Sequence, residues 1–382
     1  MTLYISARFL TQPASGVQRY ARELLGAFDQ RLAADPDLRN MVGPVVALYP
    51  ATGIDDPGWS QIRLQGLSGG AGHLWEQGAL WRASRDGTLL SLGNSGPLAH
   101  PAHILALHDA NIYEIPQAYS RRYRLWHKVL RPALARRAAA LISVSRFSAT
   151  ALAQRLSVPE ARFSIVPNSA EHILRHAADP QALANRGLKP QGYWLSVANQ
   201  SPNKNIARLV AAHQTLGQQA PPLVIVGGDA PGLASHTSGH PPGSARFLGR
   251  VSDAELRALY AGAAGFLFPS LYEGFGIPPL EAMALGVPVL AARRAALPEV
   301  LGNAAMWFDP LSVSDMARAM RALMALPAAA RAQWIAAGQA RAAGFTWQAS
   351  VDQLIPVLIP VLRQTAVRTA SKDLKSRALR SA

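Results

Sequence analysis

The sequence predicts an α/β protein built from two doubly wound parallel sheets, and three observations carry the prediction. Short apolar runs of the kind that form buried parallel strands alternate with helical segments along most of the chain. At 382 residues the chain exceeds what one hydrophobic core usually holds. A stretch rich in Pro, Gly, Asn and Ala interrupts the alternation near the middle. Parallel strands covered on both faces need apolar material, and 49% hydrophobic against 16% charged residues supplies it.

Taken in order, the first half reads as a strand over 3–6, a helix over about 16–33 and a strand over 45–49, then strands near Leu89 and over 104–107. Ser15 stands as cap before Gly16 at the entrance of the first helix. A basic helical stretch follows, then a strand over 140–144 and a helix over 148–156. Asp35-Pro36-Asp37 has the D-x-D spacing of a metal site, but it follows a helix and not a strand, and reads as a turn. The breaker-rich stretch PNSAEHILRHAADPQALANRGLKPQG, residues 167–192, is the predicted boundary. The second half restarts with a strand in YWLSVAN and continues through a helix over 206–216 and a strand over 223–226. A glycine and proline loop over 227–244, helices over 253–262, 311–326 and 328–343, and a last segment over 347–362 complete it. The predicted domains are 1–170 and 185–345, with 364–382 a polar, basic tail expected to lack order.

With no cysteine, disulfides, thiolate nucleophiles and cysteine-ligated metals are excluded. The opening MTLYISARFL lacks the basic region of a signal peptide, and no run reaches the ~18 apolar residues of a spanning helix, so the expected location is the cytoplasm. The formal charge of +15 implies an anionic partner. Residues 101–150 hold eight basic and two acidic residues, net +6, and residues 351–382 hold six and two, net +4.

The densest chemistry lies in FPSLYEGFGIPPLEAMALGVPVLAA, residues 268–292. An apolar run, 265–268, leads into a glycine turn carrying Glu273. The turn opens a helix carrying Glu281, which Gly286 and Pro288 stop. Such a turn presents unpaired backbone N–H groups and a positive helix end to an anion, while the carboxylate beside them accepts from hydroxyls. A ligand with both phosphate and hydroxyls fits.

The run EGFGIPPLE resembles the E-x(7)-E signature of family-four retaining glycosyltransferases of the group 1 type, and the likeness extends over about 3–344. The resemblance implies the GT-B fold, two Rossmann-like domains facing a cleft, with an acceptor-binding first domain, a nucleotide-sugar-binding second domain and a segment over 346–363 returning to the first. It implies Glu273 on the hydroxyls of the donor sugar, Glu281 on the nucleotide ribose, and the amides of Gly274, Phe275, Gly276 and Ile277 facing the diphosphate. Lys204, in the turn NQSPNKN with Asn199, takes the place of a phosphate-binding cation. The family's usual arginine about six residues earlier is missing, since Ala198 and Asn199 stand there, which leaves Lys204 and Arg208 for charge neutralisation.

Gly16 matches the family's glycine loop on the diphosphate, His108 the histidine near the reacting sugar, and Arg250 with Val251 the base-contact region. Asn168 matches the inter-domain turn. Each has an ordinary alternative: an N-cap, a backbone-bonded core histidine, a surface arginine. Gly227 and Gly228 close a strand and allow close backbone approach. His100 and His103 lack a third ligand for zinc.

The activity implied is transfer of a hexose, first mannose from GDP-mannose, to a glycan or polyprenyl-diphosphate-linked acceptor in surface polysaccharide synthesis, with no cofactor or metal. UDP-glucose and dTDP-rhamnose are the alternative donors. Outside that activity stand a nucleotide-sugar epimerase of similar fold and a non-catalytic sugar- or lipid-binding module. A Rossmann dehydrogenase is disfavoured, because only Gly16 follows the first strand where G-x-G-x-x-G is needed. The segment 120–137 has seven basic and no acidic residues, with Tyr119, Tyr123, Trp126, Leu130 and Leu134 at helical spacing. It reads either as core packing with a cationic rim or, with the tail, as a dock on anionic lipid at the inner face of the cytoplasmic membrane. Nucleic acid is not an expected partner.

Overall fold

A computed structural model of the chain describes residues 1–13, 15–199, 201–228 and 245–380, with side chains as far as Ser371. Most of the predicted 227–244 loop lies outside the described residues. Two compact units are present. The first comprises Met1–Asp109, His127–Pro167 and Trp347–Ala382, and the second Ala110–Trp126 and Asn168–Thr346.

The first unit carries a seven-stranded parallel sheet in the order β3-β2-β1-β4-β5-β6-β7. Its strands are β1 Leu3–Ser6, β2 Val45–Pro50, β3 Ile62–Leu67, β4 Thr88–Ser91, β5 His103–Ala106, β6 Ala140–Ser143 and β7 Phe163–Ile165. The order reverses between β1 and β4, whose register pairs Leu3 with Thr88 and Ser6 with Ser91. Strands β4 and β5 are buried at every position, as strands sandwiched between helical layers must be. β3, with sequence IRLQGL, is an edge strand with one buried residue; its polar composition hides it from an apolar-run search.

The second unit carries a six-stranded parallel sheet in the order β10-β9-β8-β11-β12-β13. These are β8 Trp194–Val197, β9 Leu223–Val226, β10 Arg246–Gly249, β11 Gly265–Phe268, β12 Val289–Ala292 and β13 Met306–Phe308. Here the order reverses between β8 and β11, and that position governs the site. Gly227 does allow close approach: its φ is +137°, and a Cβ there would lie 2.2 Å from the Ala198 carbonyl oxygen.

Helix starts follow local capping chemistry. The hydroxyls of Ser145, Ser252 and Ser312 each accept from the N–H three residues on, at 3.1 Å. Asp35 does the same for Leu38 at 3.0 Å, with Pro36 opening a helix Pro36–Val42, so the Asp-Pro-Asp run is a capped helix start and not a turn. The first long helix begins at Gly16 as expected, but the Ser15 hydroxyl bonds the Gln18 side chain and makes no bond to the backbone.

Three further departures have physical reasons. The chain divides at Pro167/Asn168, within the first residues of the predicted boundary, and residues 110–126 group with the second unit. The tail continues the last helix, Trp347–Arg380. Lys, Arg, Ala and Leu are good helix formers, and Thr365 is buried with its hydroxyl accepting from Thr88 at 3.1 Å, so order propagates past 363. The helix Arg121–Arg137 does not keep its aromatic residues on its buried side: His127, Leu130, Arg131 and Leu134 are buried, whereas Tyr123 and Trp126 are exposed. Among the described residues no helix is long and apolar enough to cross a membrane.

Candidate active site

At the reversal of the second sheet, the loops leaving β8 and β11 diverge from adjacent strands, and a crevice at such a point is where α/β sheets take ligands. The β8 loop holds the turn Pro202–Lys204 and the β11 loop holds Glu273. Lys204 Nζ lies 2.6 Å from Glu273 Oε1, with both side chains largely buried, and the ammonium also sits 5.7 Å from the centre of the Phe268 ring.

Two buried asparagines stitch the loops into this register. Asn203 accepts from Leu271 N through its backbone oxygen at 2.7 Å and donates from Nδ2 to the Tyr272 carbonyl at 3.4 Å. Asn205, in the left-handed region at φ 58°, donates to the carbonyls of Pro269 at 3.1 Å and Pro310 at 2.8 Å. Its Oδ1 accepts from Arg208 at 2.8 Å, so Arg208 braces the turn.

Glu273 is followed by Gly274, Phe275 and Gly276, then the helix Ile277–Ala284. Gly276 adopts φ +100°, and a Cβ there would meet Leu297 Cδ2 at 2.6 Å, so only glycine fits. Pro278 and Pro279 bring no N–H to the helix start. The backbone N–H groups of Phe275, Gly276 and Ile277 have no acceptor among the described residues. Amide donors, a positive helix end and an ammonium therefore converge beside one carboxylate, an arrangement suited to an anion that also carries hydroxyls. The Phe275 ring is buried edge-on against Phe345, with centroids 5.5 Å apart, and contributes packing.

Glu281 is 5% exposed, and both its oxygens are engaged. Oε1 accepts from His172 Nε2 at 2.6 Å and Oε2 from the Tyr260 hydroxyl at 2.7 Å. Neither partner is legible in the sequence. They lie 109 and 21 residues from Glu281, on elements that no local spacing rule connects.

Comparison with known proteins decides the family. Residues 184–341 match the family described as glycosyl transferases group 1. The chain is 33% identical over 264 residues to O-antigen chain mannosyltransferase B of Escherichia coli, covering 66% of this chain and 68% of that protein. The chain belongs to the group 1 glycosyltransferases. The serotype-specific mannosyltransferase WbdA of E. coli is a longer relative, 33% identical over 204 residues that cover 48% of this chain and 24% of that protein. In structure, this glycosyltransferase resembles the sucrose-phosphate synthase of Thermosynechococcus elongatus with a TM-score of 0.71, 20% identity and coverage of 93% of this chain and 97% of the other. The fold is GT-B. Membership of a transferase family sets aside the epimerase, dehydrogenase and non-catalytic readings.

The remaining predicted residues of the glycosyltransferase fall as follows. Asn199 Oδ1 accepts from Ser201 N at 3.2 Å, and Asn168 is buried at the first position of the second unit. Arg250 is exposed after β10 with its stem beside Gly228, and Val251 is half-buried. In the first unit, Gly16 heads its helix after β1, at that sheet's own reversal. His108 is buried: its N–H donates to Asn94 Oδ1 at 2.8 Å, its Nε2 donates to the Leu92 carbonyl at 2.8 Å, and Tyr20 packs edge-on at 4.8 Å. Burial holds its imidazole below the ordinary range despite the Leu92 carbonyl, so it has the setting of a backbone-bonded core histidine and not of an exposed base. His100 and His103 likewise spend ring nitrogens inside the protein, on the Ser84 carbonyl at 3.0 Å and the Ser91 hydroxyl at 2.9 Å.

Proposed function

We propose that this glycosyltransferase moves mannose from GDP-mannose, with retention of anomeric configuration, to a glycan or polyprenyl-diphosphate-linked glycan acceptor in the cytoplasm. The 2.6 Å Lys204–Glu273 pair beside the open amides carries the proposal. The mannosyltransferase names of the relatives support the sugar.

In this reading the diphosphate lies on the amides of Phe275 to Ile277 and replaces Glu273 as the counter-ion of Lys204. Glu273 is thereby released to accept from the sugar hydroxyls, and Glu281 meets the ribose. As the C1–O bond to the diphosphate breaks, negative charge grows on the leaving oxygen, where an ammonium and aligned N–H dipoles already stand. The acceptor hydroxyl attacks from the same face, and its proton passes to the departing phosphate. Rate then comes from holding and charge stabilisation rather than from a protein nucleophile. Neutralisation by Lys204 and amides needs no metal, so a chelator leaves the transfer rate unchanged; a rate restored only by added divalent cation would overturn that part.

The test is a screen of labelled nucleotide-sugars, including UDP-glucose and dTDP-rhamnose, for saturable binding and transfer. Lys204→Ala lowers kcat/KM for the accepted donor by about 10²–10³-fold, the usual loss of a group that stabilises the leaving charge, and Glu273→Ala lowers it by a similar factor as the sugar loses its charged acceptor. Wild-type kcat/KM in both variants refutes the site.

The helix Arg121–Arg137 favours a lipid surface as a further partner. Leu125, Trp126 and Val129 are 69%, 45% and 67% exposed and lie among Arg121, Arg122 and Lys128. The protein sediments with anionic phosphatidylglycerol vesicles at low salt, and Leu125→Glu with Trp126→Glu abolishes it; absence of wild-type sedimentation rules out the dock.

A further inference from the structure

Opposite charges that line one pocket without pairing leave room for a molecule between them, and the second unit has such a place. Arg293, Arg294, Trp307, Asp309, Pro310 and Asp315 line a pocket of 430 Å³ at the carboxyl ends of β12 and β13. Both arginines are exposed, and among the described residues neither guanidinium makes a hydrogen bond or an ion pair. Asp309 is exposed too; its Oδ1 accepts from Leu311 N at 3.0 Å, and among the described residues it forms no ion pair. Asp315 is already engaged, by Arg318 at 2.6 Å and by Asp309 N at 2.8 Å. Trp307 is half-buried on β13, the edge strand of its sheet.

The backbone that carries the arginines is fixed. Arg293 N donates to the Phe308 carbonyl at 3.0 Å, Arg294 N to the Ala292 carbonyl at 2.9 Å and Leu297 N to the Arg294 carbonyl at 3.1 Å. Ala295 sits among them at φ 53°, a region that residues with a Cβ seldom adopt. The walls of the pocket are also tied to the loops of the candidate active site. Ala296 N donates to the Glu273 carbonyl at 3.4 Å, and the Pro310 carbonyl accepts from Asn205 at 2.8 Å.

The lining chemistry selects a class of ligand. A phosphate suits two arginines but meets the Asp309 carboxylate, a like charge. A sugar hydroxyl both donates and accepts, so guanidinium donors and a carboxylate acceptor serve the same ring, and an indole offers an apolar surface to its C–H face. The volume lies in the roughly 300–1,000 Å³ range of small-molecule pockets. We propose that this pocket is a saccharide-binding subsite that holds a remote sugar of the acceptor glycan, so that the enzyme favours longer acceptors over short ones. The acceptor role rests on the transfer reading above; saccharide binding does not.

The experiment is calorimetric titration of the full chain with α-linked mannopentaose, run beside the acceptor KM of mannopentaose and of mannobiose. Mannopentaose binds wild-type protein saturably, and its affinity falls about tenfold in Trp307→Ala and in the double variant Arg293→Gln, Arg294→Gln, the loss expected when hydrogen bonds from charged groups or an aromatic contact are removed. The KM advantage of mannopentaose over mannobiose disappears in both variants. A merely structural role raises both KM values together and keeps their ratio, which overturns the proposal. The arginines are exposed, so their double variant decides the matter if Trp307→Ala does not fold.

Absence of saturable binding to wild-type protein, or wild-type affinity in both variants, also overturns it. Displacement of the bound sugar by inorganic phosphate at constant ionic strength marks an anion site and refutes the saccharide assignment. If the variants weaken mannopentaose binding yet no donor is ever transferred, the saccharide site stands and the transfer reading falls. Transfer that keeps the wild-type length preference in both variants leaves the transfer reading in place and removes the subsite.

Discussion

His103 is buried among β-strand neighbours, and burial, with His100 close by, pushes its imidazole down to about 3. A histidine lowered in the folded state leaves the unfolded chain binding the extra proton. The stability it contributes is whole above the unfolded value near 6.5 and drains as pH falls toward 3. Between pH 6.5 and 4.5 this amounts to about 2.5 kcal/mol for a fully buried group. His103→Gln therefore flattens the acid limb of the stability profile, as urea midpoints at pH 4.5 and 7 will show; an unchanged slope contradicts the assignment. Lys204 and Glu273 are individually legible from strand ends and a glycine turn. The asparagines that bring them together are not, because short polar residues in turns read as solvated surface until their burial is seen.

The strand–turn–helix element at 265–284 is the most legible piece of the chain, since glycine spacing, paired prolines and a buried strand all point one way. Its weak point is Gly276. Gly276→Ala places a methyl group against Leu297 Cδ2 at positive φ, and about 1–3 kcal/mol of stability is lost. Transfer falls with it, because the amides on either side move. At Gly286, φ +75°, the nearest atom is the flexible end of Gln339 at 3.3 Å. Gly286→Asn, a residue that tolerates the left-handed region, costs less and keeps activity. Equal losses at the two positions, read from thermal midpoints and initial rates, would deny the turn its special role. Edge strand β3 marks the limit of legibility at this scale: with one buried residue it lacks the apolar run that betrays its neighbours.

At the scale of the molecule, the first unit is discontinuous and depends on the last helix. Trp347, Val351, Leu354 and Leu358 are buried, and Tyr20 lies 6.0 Å from the Trp347 ring. Each such side chain is worth about 1.5–3 kcal/mol, and together they rival the ~5–15 kcal/mol of a whole domain. A chain ended at Thr346 therefore gives a first unit open to protease while residues 168–346 persist as a resistant fragment; limited proteolysis with mass spectrometry reads this directly. Composition indicates two halves, but it cannot show that residues 110–126 group with the second unit, because long-range contacts leave no local pattern.

That discontinuity imposes an order on synthesis. Every residue of the second unit is synthesised before Trp347, the first residue of the segment that completes the other unit. On a translating ribosome the half that bears Glu273 has its whole sequence first, and the other half waits, its apolar surface a natural client for chaperones, until the helix beginning at Trp347 has been made.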